Sequence, residues 1–211
     1  MKYQELKDKI KGFIVFSLNE IRKTAPGFHR RRLNEWQEKG YIKKLRRGYY
    51  MFSDLSLQEE TLFLMANKLY GPSYVSLETA LSYYGLIPEG VYSMTSVSTK
   101  KTSRFKTPIT SFIYRNIKPE LFFGYRLEKY GGQRFKMAEI EKAFLDYVYF
   151  NPKIADASGF YEWRFNSEEF LAKADLQKLK KYMIAFKNKR LTARIKKALA
   201  LIKMKPDLVR V

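Results

Sequence analysis

The 211-residue sequence predicts an α+β fold, and three observations support this. Residues 1–53 contain helical patterns followed by a pair of strand patterns. Residues 54–150 contain two helical patterns, then a series of strand-like runs, then a third helical pattern. Residues 151–211 repeat apolar residues every three or four positions, which is typical of amphipathic helices. We therefore expect an N-terminal domain at 1–53 and an α+β domain at 54–211 that ends in a basic helical extension.

Two short helices are predicted in the N-terminal domain after a first one near Tyr3–Lys11. Ser17, with Glu20 three residues later, has the spacing of a capping box that starts a helix. Residues 25–27, Ala-Pro-Gly, end that helix, and the next is expected from about 28 to 39, before a glycine. Two helices joined by a tight turn form a helix-turn-helix.

A basic hairpin is predicted directly after these helices. Residues 41–45 and 49–52 have strand patterns, and Arg46, Arg47 and Gly48 form the turn between them. A helix-turn-helix followed by such a hairpin is a winged helix-turn-helix. The turn would place Arg46 and Arg47 against a phosphate backbone.

The charge of the chain predicts a polyanionic partner. The formal net charge is +20, divided as +9 in residues 1–53, +2 in 54–150 and +9 in 151–211. With 45% hydrophobic residues, the chain is too apolar to be a disordered polycation. Nucleic acid is the most common partner of such a chain.

The second helix of the N-terminal domain is the predicted recognition helix. Leu33 and Trp36 share the face that packs on the domain, so Arg31 and Asn34 point away from it and would read guanine and adenine. A solvated basic helix face, or binding of RNA or protein, is the alternative. The predicted DNA-binding residues are Arg30, Arg31, Arg32, Asn34, Lys43, Lys44, Arg46 and Arg47.

Several functional classes are excluded by composition. The sequence has no cysteine and one histidine, which excludes disulfides, thiolate metal sites and multi-histidine sites. We expect no metal and no cofactor. No apolar run approaches the roughly 18 residues needed to span a membrane, and the start lacks the apolar run of a signal peptide. We expect a soluble cytoplasmic protein with no membrane partner.

The rest of the chain is predicted to be mixed, then helical. Helices are expected at 58–70, 76–88, 138–150, 167–186 and 190–203, and strands at 93–99, 109–114, 125–130 and 133–137. Ser76 and Ser167 are the expected N-caps of two of these helices, and Pro206 is the expected stop after the last.

The helix at 138–150 contains the residues that would serve a metal-dependent nuclease. Glu139 and Glu141 are two positions apart and point away from each other, whereas Glu139, Lys142 and Asp146 share one face. That spacing also suits surface ion pairs. A nuclease therefore remains an alternative, as does a transcription factor whose middle region has an apolar ligand pocket. Ser76 has no histidine base nearby in sequence.

Three runs resemble motifs of the AbiEi-type antitoxin family. They are Tyr74–Pro88, then Ala138–Asp146, where the family typically has A-x-x-E-K-A-(L/F)-x-D, and Leu45–Tyr50, similar to L-x-R-G-x-Y. The resemblance covers roughly residues 13–150. Glu139 stands where the family often has a small residue or proline. Matching motif residues are Ser76, Glu78, Thr79, Gly85, Pro88, Glu141, Lys142 and Asp146.

The resemblance implies a role in a type IV toxin–antitoxin system linked to abortive phage infection. The winged helix would bind and repress the promoter of its own operon, and the remainder would counteract a nucleotidyltransferase-like toxin encoded next door. No catalysis is expected. The basic residues of 151–211 would contact more DNA, an acidic toxin or the toxin's RNA substrate, or form the solvated face of a packed helix.

Overall fold

The computed structural model describes residues 1–88, 90, 92–155 and 157–204. Its fold is α+β with a helical C-terminal segment, as the sequence predicts. Pro206, the predicted helix stop, lies outside the described residues.

The N-terminal unit, residues 1–53, combines three helices with a small antiparallel sheet of order β1-β3-β2. The capping box is present, because Ser17 Oγ accepts from the Glu20 amide while the Glu20 carboxylate accepts from the Ser17 amide. The elements are α1 (Tyr3–Lys9), β1 (Phe16–Ser17), α2 (Leu18–Thr24), α3 (Arg31–Glu38), β2 (Ile42–Arg46) and β3 (Tyr49–Phe52).

Helix α3 begins later than the predicted residue 28. Phe28 is buried in the connection from α2, and Arg30 occupies the N-cap position, so the first residue of the helix is Arg31. Leu33 and Trp36 are buried, as predicted. The shorter helix still presents the predicted arginines at its N-terminal end.

The remainder of the chain contains a mixed sheet and further helices. They are α4 (Glu59–Leu69), β4 (Ser73–Val75), α5 (Leu77–Tyr83), β5 (Ser93–Ser98), β6 (Ser103–Lys106), β7 (Ser111–Asn116), β8 (Tyr125–Tyr130), β9 (Gln133–Ala138), α6 (Ile140–Phe150), α7 (Ala157–Glu162), α8 (Ser167–Lys173), α9 (Leu176–Ala185) and α10 (Lys189–Lys203). Short 3-10 turns lie at Pro119–Leu121 and Pro152–Ala155.

The six-stranded sheet has the order β6-β7-β5-β4-β9-β8, with parallel pairs β5–β7 and β4–β9. Strands β1, β4 and β6 were absent from the sequence-based prediction. Strands β1 and β4 have two and three residues, too short for a period-two pattern, and β6 has a single apolar residue among its four. Although it is short, β4 lies inside the sheet, between β5 and β9.

Helices cover both faces of this sheet. The Tyr114 hydroxyl on β7 donates to the Ala66 carbonyl on α4, 2.7 Å away. Thr95 on β5 bonds to Thr79 on α5. Tyr114 pairs with Ser96, the neighbour of Thr95, so the two contacts lie on opposite faces. Helix α6 packs on α5, and α9 and α10 pack on α6.

Buried apolar side chains form two clusters. The smaller cluster lies within residues 1–52, whereas the larger one occupies the rest of the chain and also receives Val15, Leu45 and Met51. The N-terminal unit therefore has its own core but packs firmly on the larger one.

The C-terminal helices differ from the prediction in their bounds and in one cap. The range expected to be helical at 167–186 contains two helices, α8 and α9, because Ala174 between them is extended, and α7 was not expected. Asn166, not Ser167, caps α8, since its side-chain oxygen accepts from the Glu169 amide at 3.0 Å. Asp175 and Asn188 cap α9 and α10 in the same way.

Candidate functional site

The N-terminal unit presents an exposed set of basic and amide side chains, which we call the basic face. On α3, burial of Leu33 and Trp36 fixes the opposite side toward solvent. The Arg31 side chain is 89% exposed and its Nε lies 3.5 Å from Glu35 Oε1, a weak surface pair. The basic face comprises Arg30, Arg31, Arg32, Asn34, Lys44 and Arg47, all of which are exposed.

The hairpin contributes Lys44 and Arg47 to the basic face, whereas Lys43 is half-buried. Gly48 has a positive φ of 84°, which the turn between β2 and β3 requires and which favours glycine. A cavity of about 420 Å³ beside the start of α3 is lined by Lys9, His29 and Arg32 together with the acidic Glu5.

The position of Arg46 does not agree with the prediction that this residue contacts a phosphate. Its Nη1 donates to the Leu69 carbonyl at 2.6 Å, and its guanidinium lies 4.5 Å from the centre of the Phe105 ring. The side chain is therefore engaged by α4 and β6. It joins the hairpin to the large sheet and leaves Arg47 as the exposed arginine of the turn.

A buried polar network contains three of the predicted motif residues. The hydroxyls of Tyr74 and Ser76 each donate to Asp146 Oδ2 at 2.9 Å, and Lys142 Nζ forms an ion pair with Asp146 Oδ1. The side chains of Lys142 and Asp146 are both 0% exposed. The buried network is defined here as Tyr74, Ser76, Lys142 and Asp146.

Two sequence-based predictions are corrected by this network. Lys142 and Asp146 are not a surface ion pair, because α6 packs against α5, α9 and α10 and its Asp146 side chain reaches Tyr74 of β4. Ser76 occupies the N-cap position of α5, but its side chain makes no cap hydrogen bond and donates to Asp146 instead.

Aromatic rings surround the lysine of the network. Lys142 Nζ lies 5.6 Å from the centre of the Tyr74 ring, 5.1 Å from Phe123 and 4.7 Å from Phe186. Burial lowers the pKa of Lys142 and raises the pKa of Asp146, while their mutual attraction opposes both shifts. Because both side chains are buried, no substrate can reach this pair, and its role is to hold the surrounding elements together.

The remaining carboxylates of α6 bind α9. Glu141 Oε1 accepts from the Asp175 amide at 2.7 Å, and its Oε2 lies 3.1 Å from Lys178 Nζ. Glu139 Oε2 lies 3.4 Å from the same amine and accepts from the Tyr182 hydroxyl at 2.5 Å. These carboxylates therefore fasten two helices together.

The carboxylates of the nuclease alternative do not converge. Glu139 and Glu141 face α9, whereas Asp146 belongs to the buried network. In the part of the chain that the structure describes, no three histidine or acidic residues are close enough to hold a metal ion.

Thr79 and Gly85, two of the other motif residues, fix the placement and the end of α5. Thr79 is buried, and its hydroxyl accepts from the Thr95 amide at 2.8 Å. Gly85 has a φ of 73° just after α5 ends, while Glu78 is half-buried and Pro88 is exposed. The hydrogen bond of Thr79 and the conformation of Gly85 are therefore structural features of α5.

A cavity of about 290 Å³ lies on the α5 side of the large sheet. It is lined by Glu78, Thr95, Arg115 and Asn151 together with Leu77 and Ile113. Its lining is mixed rather than the apolar one that a ligand-sensing alternative predicted.

The residues missed at the sequence level include Tyr74, Lys178 and Tyr182. Tyr74 stands inside the first family-like run, so its position offered a signal. Tyr182 offered none, since a tyrosine in a basic helix has no distinguishing pattern. Among the described residues, no helix combines the length and apolar character required to cross a membrane.

Comparison with known proteins shows the fold alone. No family model matches the chain, and no curated protein does. A crystal structure of the RV2827C protein from Mycobacterium tuberculosis is similar, with a TM-score of 0.59 and 11% identity. The match covers 94% of this chain and 76% of that one.

Proposed function

We propose that the chain is a DNA-binding transcriptional autorepressor, with residues 1–53 as a winged helix-turn-helix. The observation that carries this proposal is helix α3. It buries Leu33 and Trp36 and exposes Arg31, Arg32 and Asn34 near its N-terminal end. The element order helix-strand-helix-helix-strand-strand, with a three-stranded sheet, supports the same proposal.

The contacts with DNA divide by chemistry. Arg31 and Asn34 would read base edges in the major groove, because their planar groups make paired hydrogen bonds with guanine and adenine. Arg47 and Lys44 would bind phosphates, which positions the helix without reading sequence. Arg46 is left out of this interface because it is held by Leu69 and Phe105.

The second part of the proposal is that the chain is the cytoplasmic antitoxin of a type IV toxin–antitoxin system and acts without catalysis. Support comes from two of the family-like motifs, which supply all four residues of the buried network. The partners would be promoter DNA and a nucleotidyltransferase-like toxin.

The DNA proposal is tested by fluorescence anisotropy with the promoter of the chain's own operon and a scrambled duplex. Replacing Arg31 by alanine should cost about 1–3 kcal/mol on the promoter only. Arg104→Ala, at an exposed arginine of β6, is the matched control and should cost less. An equal loss on both duplexes would refute base readout by Arg31.

The antitoxin proposal is tested by co-expression with the neighbouring nucleotidyltransferase-like reading frame, scored by growth. Rescue by the intact chain and by Arg31→Ala, expressed from a foreign promoter, is expected. Failure of the intact chain to rescue growth would refute the antitoxin role and leave the DNA proposal standing.

A further inference from the structure

A groove opens where α9 ends and α10 begins. It has a volume of about 450 Å³ and is lined by, among others, Met183, Ile184, Lys187, Lys189, Ala193 and Lys196; we call it the α9–α10 groove. Lys187 has a φ of 48°, uncommon for a residue with a side chain, and this tight connection turns the chain between the helices.

The centre of this groove is apolar and exposed. Ile184 is 72% exposed, although the neighbouring Phe186 is buried in the core. Ala193 on the facing helix is exposed and Met183 is half-buried. An exposed isoleucine inside a concave surface differs from scattered surface apolar residues, and such sites bind partners.

The rim of the groove is positively charged. Residues 187–203 contain seven lysines and arginines and no acidic residue. Lys187, Lys189 and Lys196 are exposed around the groove, and no acidic side chain of the described residues lines it. Part of the +9 charge of residues 151–211 is therefore concentrated around an apolar centre.

We propose that the α9–α10 groove binds an acidic segment of a partner protein that inserts an aliphatic side chain against Ile184. The lysine rim supplies charge complementarity, which steers association, and the apolar centre supplies the buried contact that dominates affinity. An amphipathic helix with leucines at i, i+3, i+4 and i+7 and acids elsewhere has this chemistry.

Nucleic acid fits this groove less well. Binding of single strands depends on aromatic side chains that stack with bases, and the groove-lining residues are aliphatic or polar. Phosphates would bind the lysines but would leave Ile184 exposed. The proposal is independent of the DNA-binding and antitoxin functions, since it rests on the geometry of α9 and α10.

The test measures binding of three labelled probes to the full chain by fluorescence anisotropy at about 0.15 M salt. The first probe is a synthetic peptide with leucine at helical spacing and glutamate elsewhere. The second has serine in place of each leucine, and the third is a mixed-sequence single-stranded oligonucleotide. We expect the first peptide to bind at least about tenfold more tightly than the second.

Two pairs of variants locate the binding. Ile184→Ser should weaken binding of the leucine peptide by at least about fivefold, whereas Leu127→Ser, at a 56% exposed leucine of β8, should leave it unchanged. The double variant Lys189→Glu/Lys196→Glu should weaken it further than Arg104→Glu/Lys106→Glu, which makes the same change of net charge on β6. All of these positions are exposed, so circular dichroism should show an intact fold.

Several outcomes would overturn the proposal. No binding of the leucine peptide is one, and equal binding of the leucine and serine peptides is another. If Ile184→Ser weakens binding of the leucine peptide no more than Leu127→Ser does, the contact lies elsewhere. Tighter binding of the oligonucleotide, sensitive to the lysine variant and insensitive to Ile184→Ser, would identify a nucleic-acid surface.

Discussion

Replacing Lys142 by methionine should destabilise the protein by about 3–5 kcal/mol. The ammonium group is fully buried and is the cationic partner of Asp146, whose other oxygen accepts from Tyr74 and Ser76. Methionine fills a similar volume, so the cost comes from the carboxylate, which is left in the core without its countercharge. A typical domain has only about 5–15 kcal/mol of stability, so the loss is large.

The destabilisation should depend on pH. Burial already raises the pKa of Asp146, and Lys142 opposes that shift. Without the lysine the pKa of Asp146 in the folded state rises further. At pH values between the ordinary pKa near 3.8 and this raised pKa, the folded state therefore keeps a proton that the unfolded state has released. Stability therefore falls as pH rises through that window, and the loss relative to wild type should be smaller at low pH than at neutral pH.

The assay is denaturant unfolding followed by far-ultraviolet circular dichroism at two pH values. Lys173→Met is the matched control, because Lys173 pairs with Glu169 at the same i,i+4 spacing but is partly exposed; its amine also donates to the Tyr84 carbonyl at 3.1 Å. That control should cost about 0–1 kcal/mol. The double variant Lys142→Met/Asp146→Asn removes both charges and should recover part of the loss.

Equal costs for Lys142→Met and Lys173→Met would refute this reasoning, because burial would then have no energetic consequence. A loss that did not change with pH would show that Asp146 does not titrate in the variant. Either result would remove the role given to the ion pair in the core.

Two further predictions concern the packing of the glycine at 124 and the two arginines of the hairpin. Gly124→Ala should cost about 1–3 kcal/mol in thermal unfolding, since Gly124 has a φ of 71° and an added Cβ would lie 3.0 Å from two side chains. Gly131→Ala is the control and should cost less, because Gly131 has a φ of 54° but open space around it. A larger cost for Gly131→Ala than for Gly124→Ala would contradict the packing. Arg47→Ala should reduce the slope of log affinity for DNA against log salt concentration by about 1. Arg46→Ala should leave that slope unchanged and lower the melting temperature of the protein. A change of slope with Arg46→Ala would show that Arg46 belongs to the DNA interface.

Local patterns predicted the helices well where they had caps and a clear apolar stripe. The capping box at Ser17 and Glu20 formed as expected, and burial of Leu33 and Trp36 followed from their spacing. Strand β4 was not predicted, because three residues carry no periodic signal, although it lies inside the large sheet.

The candidate site was predictable only in part, for a physical reason. Exposure of Arg31 and Asn34 depends on one helix and its apolar face, which the sequence contains. The position of Arg46 depends on Leu69 and Phe105, which are distant along the chain and approach it only when the hairpin packs on the large sheet. Proximity of that kind leaves no local pattern.

The sequence by itself determined the α+β class, the helical C-terminal segment and the uneven distribution of charge, because these follow from short-range periodicity and composition. Only the tertiary structure decided that Lys142 and Asp146 are a buried pair, since the same i,i+4 spacing serves equally on a surface. It also decided that Ile184 is exposed among lysines, because exposure depends on which helix face finds a neighbour. Periodicity is encoded locally, whereas burial is a property of the assembled fold.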